Sequence, residues 1–214
     1  MTMRWIGVAA AVAFAGERAD AQRPITPFAT GAIVEHRVTT TGEVERVVGA
    51  VWGAGASMVM SDWLAVRGRI AGGSLSARSV DGEGRSLSEA DVVVTLTPDR
   101  WISLDAGTVM RTMATPLVRQ RWVELRAGSE VGLDLIEGVL RGTVRLSIAP
   151  WVSVSGQPSP DLAIGAGSGL EFTDGRLVAN LAYSLERYDF PAAGSARRLE
   201  QHSTLTARIG WRLR

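Results

Sequence analysis

The sequence contains no cysteine and no lysine, has only two histidines and one asparagine, and is poor in aromatic residues. Without cysteine the chain can form neither a disulfide framework nor a thiolate metal site. The 23 basic residues are all arginine and face 22 acidic residues, which leaves a net charge of +1. This balance gives no electrostatic basis for binding nucleic acid. Arginine does suit buried pairing, because its planar guanidinium can hold a carboxylate through two hydrogen bonds.

Long hydrophobic runs are also scarce, and one of the few lies near the N-terminus. Arg4 supplies a positive charge, residues 5–16 are largely apolar, and Ala19-Asp20-Ala21 fits a small-x-small cleavage site. A helix needs about 20 apolar residues to cross a bilayer, so this run is too short to span one. We therefore predict that residues 1–21 are a secretory signal peptide and that residues 22–214 form one domain.

The rest of the chain alternates between apolar and polar residues. The mean hydropathy of +0.11 is too low for a protein built from several transmembrane helices, and no segment shows helical periodicity. Successive side chains of a strand point to opposite faces, so the alternation predicts strands that separate an apolar phase from a polar one. We predict ten strands, at residues 29–40, 43–60, 63–76, 86–97, 101–113, 121–133, 139–153, 161–173, 177–189 and 198–213.

The connections between these strands alternate in length. Short turns at 61–62, 98–100, 134–138 and 174–176 alternate with longer segments at 77–85, 114–120, 155–160 and 191–197. Short turns at one rim and longer loops at the other are typical of a membrane-spanning up-and-down barrel. The connection at 41–42 is short where this rule predicts a loop. An eight-stranded barrel with an N-terminal arm is an alternative, because the glycine-rich segment 47–57 is irregular.

The two faces of the predicted strands differ in charge. The apolar face is almost free of charge, whereas the other face mixes arginine and carboxylate residues with glycine. A single arginine facing lipid near the bilayer midplane costs roughly 2–4 kcal/mol, so the arginine-bearing face points away from lipid. We therefore predict a structural ionic network inside the barrel that comprises Arg67, Arg69, Asp91, Asp105, Arg111, Glu124, Arg126, Arg141, Arg145, Glu171, Glu186 and Arg208.

The tryptophans follow this two-face pattern only in part. Trp52 and Trp211 lie on the apolar face, where rings at a membrane interface are expected. Four others lie near strand ends on the polar face: Trp63, Trp101, Trp122 and Trp151. Either bulges shift the register at the strand ends, or these rings close the lumen.

The residues that could carry catalysis or bind a metal do not form a recognisable site. His36 falls on the apolar face of the first strand and His202 on the polar face of the last, which predicts that they point in opposite directions. Ser203 follows His202 directly, so the two cannot form a nucleophile–base pair on one face of a strand. Three acidic residues near the loop ends could bind a divalent cation or lipopolysaccharide-bound ions, but isolated acids at a rim are usually solvated: Asp81, Glu83 and Glu200. We predict no catalytic, cofactor or metal site.

The signal, the tight hairpins and the amphipathic last segment, residues 202–214, resemble those of small outer-membrane β-barrel proteins of Gram-negative bacteria. The resemblance covers residues 22–214 and is architectural. It implies an all-β, up-and-down antiparallel transmembrane β-barrel in the outer membrane, monomeric, surrounded by lipid and inserted by the barrel-assembly machinery. Omptin-type proteases also have ten strands, but they have longer loops, and their acid–histidine constellation is not matched here.

The expected function is a structural or surface-interaction role, with no enzymatic activity and no cofactor. Two alternatives stay open. The barrel is a narrow passive pore if the small residues of the second and eighth strands leave a continuous water path. It is instead a secreted soluble barrel that binds a small apolar ligand if the apolar face points inward.

Overall fold

Ten β-strands make up most of the described chain. A computed structural model of the protein describes residues 24–41, 43–78, 83–193 and 196–213. Each strand lies within a few residues of its predicted position, which confirms the all-β prediction, and the predicted signal peptide, residues 1–21, lies outside the described residues. In chain order the strands are β1 (Ile25–Thr40), β2 (Glu43–Ser61), β3 (Leu64–Ala77), β4 (Arg85–Asp99), β5 (Ile102–Ala114), β6 (Arg119–Ile136), β7 (Leu140–Val154), β8 (Leu162–Asp174), β9 (Leu177–Ala193) and β10 (Ala196–Trp211).

The strands close into a barrel. Each pairs antiparallel with its neighbours in the chain, and β1 pairs with β10 from Phe28 opposite Gly210 to Thr40 opposite Arg198. Closure leaves the sheet without an unpaired edge. The ten-stranded up-and-down prediction is therefore confirmed. The eight-stranded alternative is wrong, because β1 and β2 pair with each other along the whole length of β1.

The two rims of the barrel carry different connections. The turn rim carries the short connections 62–63, 100–101, 137–139 and 175–176. Gly138 and Gly175 occupy turn positions with φ of 68° and 57°, which glycine adopts without steric cost. The loop rim carries the connections 41–42, 78–84, 115–118, 155–161 and 194–195. The loop predicted at 191–197 is largely strand, because β9 continues to Ala193 and β10 begins at Ala196.

Every strand contributes large apolar side chains to a belt on the outer face of the barrel. Among the described residues, no helix is long and apolar enough to cross a membrane. Large apolar side chains point outward and are 45–71% exposed: Ile33, Trp52, Ile70, Val92, Met110, Val131, Leu146, Leu170, Leu181 and Ile209. A continuous apolar belt of this kind is unfavourable in water and favourable in the hydrocarbon of a bilayer. A soluble barrel with an apolar lumen does not fit this arrangement.

Two tryptophans near the loop rim take different positions. Trp122 points into the barrel and is 0% exposed. Trp151 points outward because β7 contains a bulge. Ile148 and Trp151 are three positions apart on β7, but their partners on β6 are only two positions apart. Pro150 lies in this bulge, where its missing N–H costs no ladder hydrogen bond. The register shift through a bulge therefore accounts for Trp151, and the closing of the lumen accounts for Trp122.

Candidate functional site

The half of the lumen next to the loop rim is filled by buried side chains. Every strand contributes at least one. We call the following set, one residue from each strand in order, the loop-side plug: His36, Val47, Leu75, Leu87, Met113, Trp122, Val154, Ala163, Tyr188 and Glu200. Its members are drawn from the whole circumference of the barrel, and each is at most 7% exposed.

The loop-side plug has an aliphatic part and an aromatic part. The aliphatic part lies on β2 to β5 and comprises Val47, Leu75, Leu87 and Met113, which pack in one cluster with Val34 and Val51. The aromatic part is centred on Trp122, whose ring lies edge-on to Tyr188 at 5.1 Å and to Phe190 at 5.9 Å between centroids. Edge-to-face packing of this kind is a favourable arrangement of aromatic rings.

An ion-pair network lies directly below the loop-side plug. We call it the central network, and its four arginines and four carboxylates are Arg67, Arg69, Glu89, Asp91, Arg111, Glu124, Arg126 and Glu186. Arg69 joins Glu89 to Asp91, with 2.6 Å between its Nε and the Asp91 carboxylate. The equal numbers of each sign allow the charges to be buried together, because an unpaired buried charge is costly.

Arg111 and Arg126 connect the carboxylates of the central network across the lumen. Arg111 lies 2.8 Å from Glu89, 3.2 Å from Glu186 and 3.7 Å from Glu124. Arg126 lies 2.8 Å from Glu124 and 2.5 Å from Glu186. It also donates a hydrogen bond of 2.9 Å to the hydroxyl of Tyr188, which joins the central network to the loop-side plug.

The twelve residues predicted to share one network divide into four groups. Seven of them belong to the central network. The remainder form separate pairs nearer the turn rim: Arg145 with Asp105, Arg208 with Glu171 at 3.2 Å, and Arg141 with Asp134 at 3.3 Å. Sequence reasoning did not include Glu89 in the set, although it alternates in phase with Asp91 on β4 and contacts two arginines.

A cavity occupies the turn-side half of the lumen. Its volume is about 390 Å³. Charged side chains line its wall, and the glycines Gly165 and Gly167 on the inner face of β8 leave space for them. The cavity reaches His202 and Glu186 at its inner end, where the loop-side plug begins.

The prediction that the two histidines point in opposite directions is wrong. His36 and His202 are register partners on β1 and β10, and both point into the barrel. Their rings stack at 4.2 Å between centroids with an interplanar angle of 5°. The error arose because the more apolar face of β1 is its inner face. The outer face of β1 carries Glu35 and Arg37 near the loop rim, where water and not lipid surrounds the strand.

Glu200 is also placed differently from the prediction. It was expected to be a solvated acid at the rim, but its side chain is fully buried beside the histidines. One carboxylate oxygen lies 2.8 Å from Nε2 of His36, and the other accepts hydrogen bonds from Arg198. Glu83 lies in the β3–β4 connection, and Asp81 lies outside the described residues.

Comparisons with known proteins find similarity in structure but not in sequence. No protein-family model matches the chain, and no curated protein sequence matches it. The outer membrane protease OmpT from Escherichia coli matches with a TM-score of 0.61 at 7% identity, over 90% of this chain and 97% of that chain. The chain has the fold of an outer-membrane β-barrel.

Other barrels match with lower scores. The β domain of the Bordetella autotransporter BrkA has a TM-score of 0.49 at 12% identity, over 86% of this chain and 98% of that chain. Ail, the attachment invasion locus protein of Yersinia pestis, has a TM-score of 0.37 at 10% identity, over 88% of this chain and 98% of that chain. At such low identities the likeness concerns the fold.

Proposed function

We propose that this protein is a monomeric outer-membrane β-barrel with a closed lumen and a structural or surface-interaction role. The observation that carries the proposal is the loop-side plug, to which all ten strands contribute buried side chains. A lumen that is filled across its whole section does not conduct. The apolar belt supports the lipid environment, and we propose that the barrel-assembly machinery inserts the chain, as it does for barrels of this architecture.

The burial of the histidines supports a non-enzymatic role. OmpT is a protease, and hydrolysis of a peptide requires a general base within hydrogen-bond reach of the substrate or of one water. Here His36, a member of the loop-side plug, and His202, which stacks on it, are 1% and 2% exposed. A peptide at the loop rim cannot reach either imidazole in this arrangement.

A narrow pore is the second candidate, and the turn-side cavity favours it. The cavity already provides a water-accessible volume of about 390 Å³ through part of the barrel. Among the described residues, the loop-side plug lies between this cavity and the loop rim. A pore would therefore require movement of the plug side chains and no rearrangement of strands.

Conductance across planar lipid bilayers distinguishes the two candidates. We expect the wild-type protein to be silent, and we expect the double variant Trp122→Ala/Tyr188→Ala to show stepwise conductance because it removes two large rings from the plug. The matched control, Trp52→Ala/Tyr183→Ala, removes two rings from the outer face and should stay silent. Heat-dependent gel mobility verifies that each variant forms a closed barrel. Steady conductance by the wild-type protein would favour the pore.

A further inference from the structure

We propose that His36, Glu200 and His202 form a binding site for a divalent transition-metal ion of the Zn²⁺ class. The site is separate from the proposed function, which neither requires it nor depends on it. His36 and His202 face each other across the β1–β10 pair, and Glu200 lies two positions from His202 on the same inward face. Each of the three side chains offers a ligand atom, and these atoms lie within 4.8 Å of one another.

The donor set selects the class of metal. Two imidazoles and one carboxylate form a ligand set that Zn²⁺ accepts, and imidazole also suits Cu²⁺ and Ni²⁺. Ca²⁺ and Mg²⁺ prefer a shell of oxygen ligands, which this site does not supply. Ligand atoms that share a zinc ion at about 2.0–2.2 Å lie at most about 4.4 Å apart, so the three atoms must approach one another by a few tenths of an ångström. The two imidazoles, which stack with an interplanar angle of 5°, must also tilt so that their nitrogen lone pairs converge on the ion.

A second observation points to a ligand at this position. Nε2 of His202 is buried and has no hydrogen-bond partner among the described residues. A buried polar atom without a partner carries a desolvation cost, which a bound metal ion removes. His202 also lines the inner end of the turn-side cavity.

The remaining contacts of the site are partly favourable. Arg198 hydrogen-bonds one oxygen of Glu200, and the other oxygen accepts a hydrogen bond from Nε2 of His36, which a metal ion bound to both atoms would replace. A carboxylate held in this way is already oriented, as outer-shell partners of metal ligands commonly ensure.

Arg85 opposes the ion. Its guanidinium lies 3.2 Å from Nδ1 of His36, where it donates a hydrogen bond, so the ring proton resides on Nε2. A metal at Nε2 moves that proton to Nδ1, and Arg85 must then withdraw toward its carboxylate partner Glu45. The site is therefore weaker with Arg85 than without it.

Isothermal titration calorimetry of the full-length, tag-free protein folded in detergent tests the site. His36 and His202 are the only histidines and the chain has no cysteine, so imidazole ligation has a single origin. We expect saturable one-to-one binding of Zn²⁺ with no comparable binding of Ca²⁺. His202→Phe keeps a stacked ring but removes the ligand, and should weaken Zn²⁺ binding by about tenfold or more. Glu35→Gln, on the outer face of β1, is the control and should bind as the wild type does.

A complementary variant tests the assignment of Nε2. Arg85→Met removes the competing donor and cation, and should tighten Zn²⁺ binding severalfold. Should His202→Phe fail to give a heat-dependent mobility shift, Glu200→Gln replaces it and should also weaken binding. Three results would overturn the proposal. These are no binding of Zn²⁺ by the wild-type protein, equal binding of Ca²⁺ and Zn²⁺, and unchanged Zn²⁺ binding after a ligand residue is replaced. A Zn²⁺ affinity of Arg85→Met that is equal to or lower than that of the wild type would overturn the assignment of Nε2.

Discussion

Single residues inside the barrel are constrained mainly by the charges of their neighbours. Arg111 illustrates this, because it lies within 3.7 Å of Glu89, Glu124 and Glu186. Its side chain is almost completely buried, so water cannot compensate the carboxylates if the guanidinium is lost. The same residue type on the outer rim, Arg46, pairs with Glu35 in an exposed position. The two arginines therefore differ greatly in their importance for stability.

Arg111→Met should strongly destabilise the folded barrel. We expect a loss of about 3–5 kcal/mol in the free energy of unfolding, because the substitution leaves buried carboxylates without their partner. Urea titration of the vesicle-inserted protein, followed by tryptophan fluorescence, measures the change. Arg46→Met is the control and should leave the unfolding midpoint unchanged. Equal midpoints for the two variants would contradict the assigned role of the central network.

Close packing of glycine against a carboxylate gives a second prediction at this scale. A Cβ atom at Gly128 would lie 3.0 Å from Oδ1 of Asp105 and 2.9 Å from the carbonyl oxygen of Leu146, both tighter than ordinary contact. We expect Gly128→Ala to cost about 1–3 kcal/mol of stability through overpacking. Gly142→Ala is the matched control on the outer face, where the nearest atom would be 3.5 Å away, in Leu135. The same urea titration should show little change for the control, and a neutral Gly128→Ala would refute the packing argument.

Strands show both the strength and the limit of reading faces from sequence. On β3, β7 and β9 the uncharged face is the outer one, as alternation predicted. On β1 the inner face is the more apolar, since Val34 and Val38 belong to the filled half of the lumen and the outer face is charged near the loop rim. Hydrophobicity alone cannot distinguish lipid from a dry interior, so the histidine pair was not predictable from the alternation.

The bulge in β7 is a feature that the sequence does signal. Pro150 interrupts an otherwise regular strand, and proline inside a strand is confined to edges, first positions and bulges. The bulge shifts the phase so that Trp151 points outward while Val152 and Val154 point inward. A prediction that allowed for this proline would have placed both valines in the lumen.

Deletion of Pro150 should be tolerated by the folded barrel. Loss of the extra residue of the bulge makes Trp151 follow Ala149 directly, so Trp151 still points outward and Val152 still points inward. We expect the deletion variant to retain the heat-dependent mobility shift on gels. Deletion of Val144, in the regular part of β7, reverses the faces of one part of the strand and should abolish the shift. Loss of the shift in the Pro150 deletion variant would contradict the assignment of the bulge.

The strands separate two environments. Lipid surrounds the outer belt, and the interior is charged and partly hydrated. The closed barrel, the number of strands and the alternation of short and long connections were predicted from period-two patterning and turn residues. This was possible because strand and turn formation depend on local chain geometry. The division of the lumen into a filled half and a hollow half did not follow. It depends on which side chains meet across the barrel, and contacts between β6, β9 and β10 are not encoded in any one segment.

The stability cost of an arginine introduced into the outer belt should show how deep in the bilayer that position lies. Leu146 points outward near the middle of β7, so Leu146→Arg should cost about 2–4 kcal/mol in the free energy of unfolding. Val44→Arg, on the outer face close to the loop rim, should cost at most about 1 kcal/mol. Urea titration in vesicles gives both values. Equal costs at the two positions would contradict the placement of the belt.

In the closed state proposed above, the loop-side plug makes the barrel a cup and not a tube. A small solute that diffuses into the turn-side cavity must leave by the rim through which it entered. The occupancy of the cavity therefore equilibrates with the compartment on that side alone and is independent of the composition of the other. In an otherwise sealed membrane, the cavity then exchanges solutes with the aqueous phase at the turn rim alone, although the strands reach both membrane surfaces.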